Sequence, residues 1–163
     1  MGLCLAPTAC VGKVDRGLDL KPAHDQPVLA SIERTSCYGW CPVYRLTVFT
    51  DGVVEYIGVD FVLHKGWRSG KVSDEQLEQL QAVFEQYEFA GFAAAYEQAD
   101  YTDFPTAITS FRLNGQLKRV VHYYGDTTAP PSLSNLEDAV ERVLDIDQWI
   151  GTREQREIFA ESW

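Results

Sequence analysis

The chain has 163 residues, 45% of them hydrophobic and 23% charged, with a formal net charge of -10. The length suits one domain able to bury a sizeable core. The acidity excludes a phosphate-backbone binder, which needs clustered Lys and Arg, and no apolar run reaches the roughly 18 residues of a membrane-spanning helix.

Residues 1–10, Met1-Gly2-Leu3-Cys4-Leu5-Ala6-Pro7-Thr8-Ala9-Cys10, are apolar, small and uncharged. They read as the remnant of an export signal whose charged front is missing. Thr8-Ala9-Cys10 resembles the tail of a bacterial lipobox, with Pro7 standing where a Leu is expected. The expectation is export, with Cys10 lipidated and the membrane touched only through that anchor. A plain cytoplasmic terminus is the alternative. Residues 11–27 carry Gly12, Asp15, Gly17, Asp19, Pro22, Asp25 and Pro27 with no helical or strand period. They read as a flexible tether.

The folded domain is expected over 28–151. Val28 to Arg34 reads as a strand leading into Cys37-Tyr38-Gly39-Trp40-Cys41-Pro42. Val43 to Phe49 alternates in polarity as a strand does. Asp51-Gly52 signals a hairpin. A three-residue loop with Gly52 left-handed pairs Val48 with Val54, Leu46 with Tyr56 and Thr47 with Glu55, and keeps one face apolar. A third strand is expected around Phe61-Val62-Leu63-His64, followed by a loop with Gly66 and Gly70.

Ser73 and Gln76 form a capping box. Leu77, Leu80, Phe84 and Tyr87 follow on one helical face. That helix is expected to fray at 89–91, and Phe92 to Tyr96 reads as one further turn. Thr106 to Arg112 and Leu117 to Tyr124 read as a second hairpin around Asn114-Gly115. The same three-residue loop would pair Phe111 with Leu117 and Ser110 with Lys118. A second helix follows Pro130-Pro131, with Ser134 and Glu137 as its capping box and Leu133, Leu136, Val140, Val143 and Leu144 as its buried stripe. Gly151 fits its end, and residues 152–163 read as a short C-terminal helix opened by Thr152 and Gln155. The fold class expected is α+β: a single domain whose antiparallel sheet of about five strands, two hairpins plus an N-terminal strand, carries two main helices on one face.

The stretch Ile32 to Tyr44, with Cys37-Tyr38-Gly39-Trp40-Cys41-Pro42 at its centre, followed by Asp51-Gly52 and Glu55-Tyr56-Ile57-Gly58, resembles the bacterial family called domain of unknown function 6438. Its members look like E-R-[ST]-x-C-[FY]-G-x-C-P-x-Y, then a D-G turn and a Y-x-G strand. The likeness covers about 28–150. It implies an α+β domain, often exported or lipid-anchored, and supplies no catalytic residue.

Three chemistries suit the Cys37/Cys41 pair: a disulfide, a redox centre and half a metal site. Export makes a disulfide the default. Redox pairs usually have two intervening residues and sit at a helix start, where the dipole lowers the thiol pKa. Here three intervene and a strand follows. Zinc needs four ligands, and His24, His64 and His122 stand far apart in sequence, so no metal or cofactor is expected. A closed loop would present Tyr38 and Trp40 as rigid aromatic contacts. Adjacent Glu33 and Arg34 cannot share a strand face, so one points inward and needs a partner. Arg34, Asp103 and His122 are the candidate cleft residues, with Arg34 holding the carbonyls of the cysteine loop. Asp100 and Asp103 flank Tyr101-Thr102 in a loop, a pattern shared by acid–base pairs and ordinary solvated turns. No nucleophile-plus-base grouping and no phosphate-cradling glycine loop occurs.

The function expected is a non-enzymatic binding or inhibitor-type envelope module, with a basic envelope protein as partner and no nucleic acid. The alternative is an enzyme using the Cys37/Cys41 pair or a carboxylate cleft near Asp103.

Overall fold

A computed structural model describes residues 24–160. The leader with Cys10 and most of the expected tether lie outside the described residues. The chain order is β1 (Val28–Arg34), β2 (Val43–Phe49), β3 (Val53–Asp60), β4 (Gly66–Lys71), α1 (Asp74–Gln86), a 3-10 turn (Phe89–Gly91), β5 (Ala95–Tyr96), β6 (Thr106–Leu113), β7 (Gln116–Tyr123), α2 (Pro131–Val143), α3 (Asp147–Ile150) and α4 (Arg153–Ala160). The strands form one sheet in the order β4-β3-β2-β1-β6-β7-β5. The architecture is α+β. The sheet has seven strands where about five were expected, and it is mixed, because Ala95 and Tyr96 pair in parallel with Val121 and His122.

The first strand of the domain lies at the centre of the sheet. β1 joins the two hairpins by pairing antiparallel with β2 on one side and β6 on the other. The first hairpin has the expected register: Val48 faces Val54, Leu46 faces Tyr56 and Thr47 faces Glu55. Gly52 makes this possible at φ 81°, a left-handed conformation that costs a glycine little. The second hairpin departs from expectation by one residue. Phe111 faces Lys118, Ser110 faces Arg119 and Leu113 faces Gln116. Asn114 and Gly115 both have positive φ, 48° and 81°. That is the two-residue turn whose twist matches the flanking strands.

Two further expectations give way. The strand expected around Phe61 to His64 lies instead at Gly66–Lys71, as β4, and Phe61 to His64 forms the turn before it. Val62 is buried within that turn, so the apolar run reflects packing of a loop against the core. Phe92 to Tyr96 is not a helical turn; it ends in β5.

The face of the sheet carrying Ile32, Leu46, Val48, Tyr56, Phe111 and Val120 packs against Leu80 and Phe84 of α1 and Leu133, Leu136 and Val140 of α2 in one core. Phe84 stacks on Phe111 with ring centroids 4.1 Å apart. Burying each such side chain contributes roughly 1.5–3 kcal/mol. The Ser73–Gln76 capping box of α1 is present, with both reciprocal hydrogen bonds. Gln76 also donates to the Val143 carbonyl at 2.9 Å, which ties α1 to α2. Helix α2 has no side-chain cap. Its N-cap is Pro130, so Ser134 lies inside the helix. Proline suits that start because its missing N–H is one the helix could not use. Gln155 and Thr152 exchange the expected pair of bonds at the start of α4.

Candidate functional site

Cys37 and Cys41 form a disulfide with their Cα atoms 5.8 Å apart. The loop is fixed from both sides. Thr35 N donates to the Thr106 carbonyl at 3.0 Å, and Tyr38 N donates to the Asp103 carbonyl at 2.9 Å. The Thr35 hydroxyl oxygen accepts from Thr106 N at 2.9 Å. On this pinned backbone Tyr38 is 90% exposed and Trp40 53%. Trp40 meets Phe61 edge-on at 5.1 Å. Tyr101 and Phe104, on the segment that receives the Tyr38 amide, are also half exposed and lie 5.9 Å from each other. Two loops therefore gather exposed aromatic rings at one end of the sheet. Sequence reading missed Tyr101 and Phe104. Their signal was two aromatics in a polar, acidic segment with no strand or helix period to bury them.

Beneath this end lies a polar network inside the core. Arg34 closes β1 on the inward face, in step with Ala30 and Ile32. Its Nε donates to Glu141 Oε1 at 2.7 Å, and its Nη1 donates to the Tyr124 hydroxyl at 2.5 Å and to Glu137 Oε2 at 3.4 Å. Tyr44 OH donates to Glu141 Oε1 at 2.5 Å. Tyr124 OH donates to Glu137 Oε2 at 2.5 Å. His122 Nδ1 lies 3.1 Å from Glu137 Oε1. Arg34 binds these carboxylates and the Tyr124 phenol; the loop carbonyls expected as its partners are not among its hydrogen bonds.

The helix explains why the carboxylates need an arginine. Glu137 falls within the stripe of Leu133, Leu136 and Val140 and is fully buried. Glu141 follows one turn later on the same side. Like charges at this spacing repel, and a buried carboxylate alone is costly. The guanidinium reaches both. Burial pulls the Arg34 pKa down, but Glu141, Tyr124 and Tyr44 outweigh it and hold the pKa well above its ordinary value. Burial, and after it Glu141, pushes the Tyr44 phenol pKa well up. Burial also raises Tyr124, where Arg34 opposes the rise and Glu137 adds to it. Sequence reading took Glu137 for a capping residue. Its position within the apolar stripe was the signal that it faces the core.

A cleft of about 370 Å³ opens onto this network between the cysteine loop and the end of α2. Its lining includes the polar residues Arg34, Tyr44 and Glu141, the apolar residues Pro42, Ile146 and Ile150, Cys41, the exposed Asp138 and Asp147, and Arg156. Of the candidate residues, Arg34 lines the cleft and His122 stands behind it, joined through Glu137. Cys41 forms part of the wall. The Asp103 side chain is exposed, and its contribution is the backbone carbonyl that holds Tyr38. The sulfurs of a disulfide are neither thiolate ligands nor nucleophiles. Among the described residues no group of three or more His, Cys, Asp or Glu is placed to hold a metal ion, and no described helix is long and apolar enough to cross a membrane.

Residues 28–144 match the model of the family described as Domain of unknown function (DUF6438), and the chain belongs to that family. No curated protein and no solved structure gave a significant match.

Proposed function

We propose that this family member is an exported, lipid-anchored envelope protein that acts as a non-enzymatic binding module, with Tyr38 and Trp40 as its contact residues. One observation carries the reading: a ring as exposed as Tyr38 sits on backbone fixed by a disulfide and by the Asp103 carbonyl. A ring left in water adds nothing to the core, while a rigid aromatic loses little conformational freedom on binding. The Cys37–Cys41 bond is in keeping with an oxidising compartment. Lipidation at Cys10 supplies the anchor. The net charge of -10 favours a basic partner, and a sharper form of the reading is an inhibitor whose acidic surface covers a basic enzyme.

The test is capture from envelope extract with the wild-type chain and with Tyr38→Ser and Trp40→Ser variants, at low and high salt. The expected result is a specific partner held at low salt, released at high salt and lost with either variant. Absence of any partner, or a partner held equally by the variants, overturns the reading. Mass spectrometry of the native protein reads the anchor separately: an unmodified Cys10 removes lipidation.

A second reading, an enzyme of unassigned reaction, draws on the cleft over Arg34 and Glu141. It requires turnover that Glu141→Gln abolishes. The extended arrangement of aromatic rings beside the cleft favours the binding module.

A further inference from the structure

We propose that the cleft beside the cysteine loop is the seat of a lysine or arginine side chain carried by the partner, with the Glu141 carboxylate as its counter-ion. This deepens the binding-module reading and rests on it.

Charge comes first. Three carboxylates, Asp138, Glu141 and Asp147, line the cleft with two guanidiniums, Arg34 and Arg156. Both guanidiniums are already committed. Arg34 serves Glu141 and Glu137. Arg156 donates to the Gly151 carbonyl and lies 3.7 Å from Asp147. The carboxylates are not all answered. Glu141 accepts both Arg34 and Tyr44 through Oε1, and no described residue pairs with its Oε2. The Asp138 side chain has no ionic partner among the described residues. Glu141 is partly accessible, its side chain 18% exposed. An entering cation would meet an unclaimed carboxylate oxygen in a half-buried setting, where charge pairs interact more strongly than at an open surface.

Shape agrees with charge. Pro42, Ile146 and Ile150 give the lining apolar surface in the same cleft as the Glu141 carboxylate. A Lys or Arg side chain matches both: an apolar stem with a charged head. An anionic ligand would meet the same excess of carboxylates and a chain of charge -10. Position completes the argument. Cys41 and Pro42 belong both to the cleft wall and to the loop that carries Tyr38 and Trp40. One partner surface can therefore place a basic residue in the cleft and rest against the aromatic rings.

The test is an NMR titration of the ¹⁵N-labelled full chain with two probes, N-acetyl-arginine methylamide and N-acetyl-glutamate methylamide. The arginine probe should give saturable shifts at Glu141, Ile146 and Ile150 in roughly the millimolar range of a fragment held by one ion pair. The glutamate probe should give none there. Glu141→Gln should weaken the arginine probe by about tenfold. Asp138→Asn, a surface change that leaves the buried network intact, should weaken it by about two- to fivefold. Shifts of equal size with both probes, or affinities unchanged in both variants, overturn the proposal. The two readings fail separately. A partner captured through Tyr38 and Trp40 but insensitive to Asp138→Asn and to competing arginine probe overturns the cleft proposal alone. No captured partner, with the arginine probe still saturating the cleft, overturns the binding module and supports the cation site.

Discussion

Arg34 and Glu137, 103 residues apart in sequence, meet at 3.4 Å between the end of the central strand and the buried side of α2. The pair joins the start of the domain to its last large helix. Arg34→Met would strand Glu137, which is fully buried, beside Glu141. Removing one partner of a buried ion pair costs about 3–5 kcal/mol. Urea denaturation should show that loss, and Glu137→Gln made in the Arg34→Met chain should recover part of it by removing the charge the first change stranded. An additive double variant would mean that the two residues are not coupled.

Alkaline pH should destabilise the fold through its tyrosines. Burial pushes the Tyr56 phenol up to about 12, and Tyr44 and Tyr124 are raised as well. Below the unfolded value of about 10 these phenols are neutral in both states, and their contribution is fully present. Above it the unfolded chain sheds protons that the folded chain retains, so stability falls as pH rises toward 12. Denaturation midpoints should hold up to about pH 10 and then decline. Absorbance titration at about pH 11 should leave these three phenols un-ionised in the folded chain, out of eight tyrosines. All eight ionising together near the ordinary value would refute the burial argument.

The disulfide encloses a short ring. Cross-linking five residues stabilises by about 2 kcal/mol in the loop-entropy account. Cys37→Ser with Cys41→Ser should therefore lower the melting temperature by roughly 4–8 °C in a domain of this size, with the fold retained by circular dichroism. Partner capture should weaken more than stability does, because Tyr38 and Trp40 lose their fixed backbone. Outright unfolding of this double variant would give the disulfide a larger part in the fold than its ring size allows.

Gly70 lies in β4 beneath Trp149. A Cβ there would stand 2.8 Å from the indole Cη2. Trp149 packs in turn against Tyr56, with ring centroids 5.4 Å apart. Gly70→Ala must displace that ring, at about 1–3 kcal/mol. Chemical denaturation measures the loss, and altered tryptophan fluorescence should accompany it. An unchanged midpoint would mean that α3 yields freely at this contact.

Where the sequence foretold the fold, one local signal had a single solution. Gly52 and the alternation of β2 and β3 left only one register that kept Leu46, Val48, Val54 and Tyr56 together. The second hairpin offered no such check, because β7 is exposed over much of its first half, at Gln116, Leu117 and Arg119. There the preference of Asn114-Gly115 for a two-residue turn decided the pairing. β4 was illegible for a related reason. It is an edge strand with almost every residue exposed, so it carries no polarity alternation to read. The candidate site was half legible. Adjacent Glu33 and Arg34 required one charge to face inward, and the cysteine spacing allowed a ring. Its partners were hidden: Glu137 looked like a capping residue, and Tyr124 looked like the end of a strand. Only the packing of α2 against β1 brings them together.

The direction of β1 sets how the molecule can stand at a surface. Pro27, just before the strand, accepts from Thr50 in the first hairpin turn at 3.0 Å, while Arg34 and the cysteine loop lie at the other end, about 20 Å away at strand rise. Whatever holds the chain from its amino-terminal side therefore pulls on one pole, and Tyr38 and Trp40 crown the opposite one. With the proposed anchor on the amino-terminal side, the aromatic tip would point away from the membrane.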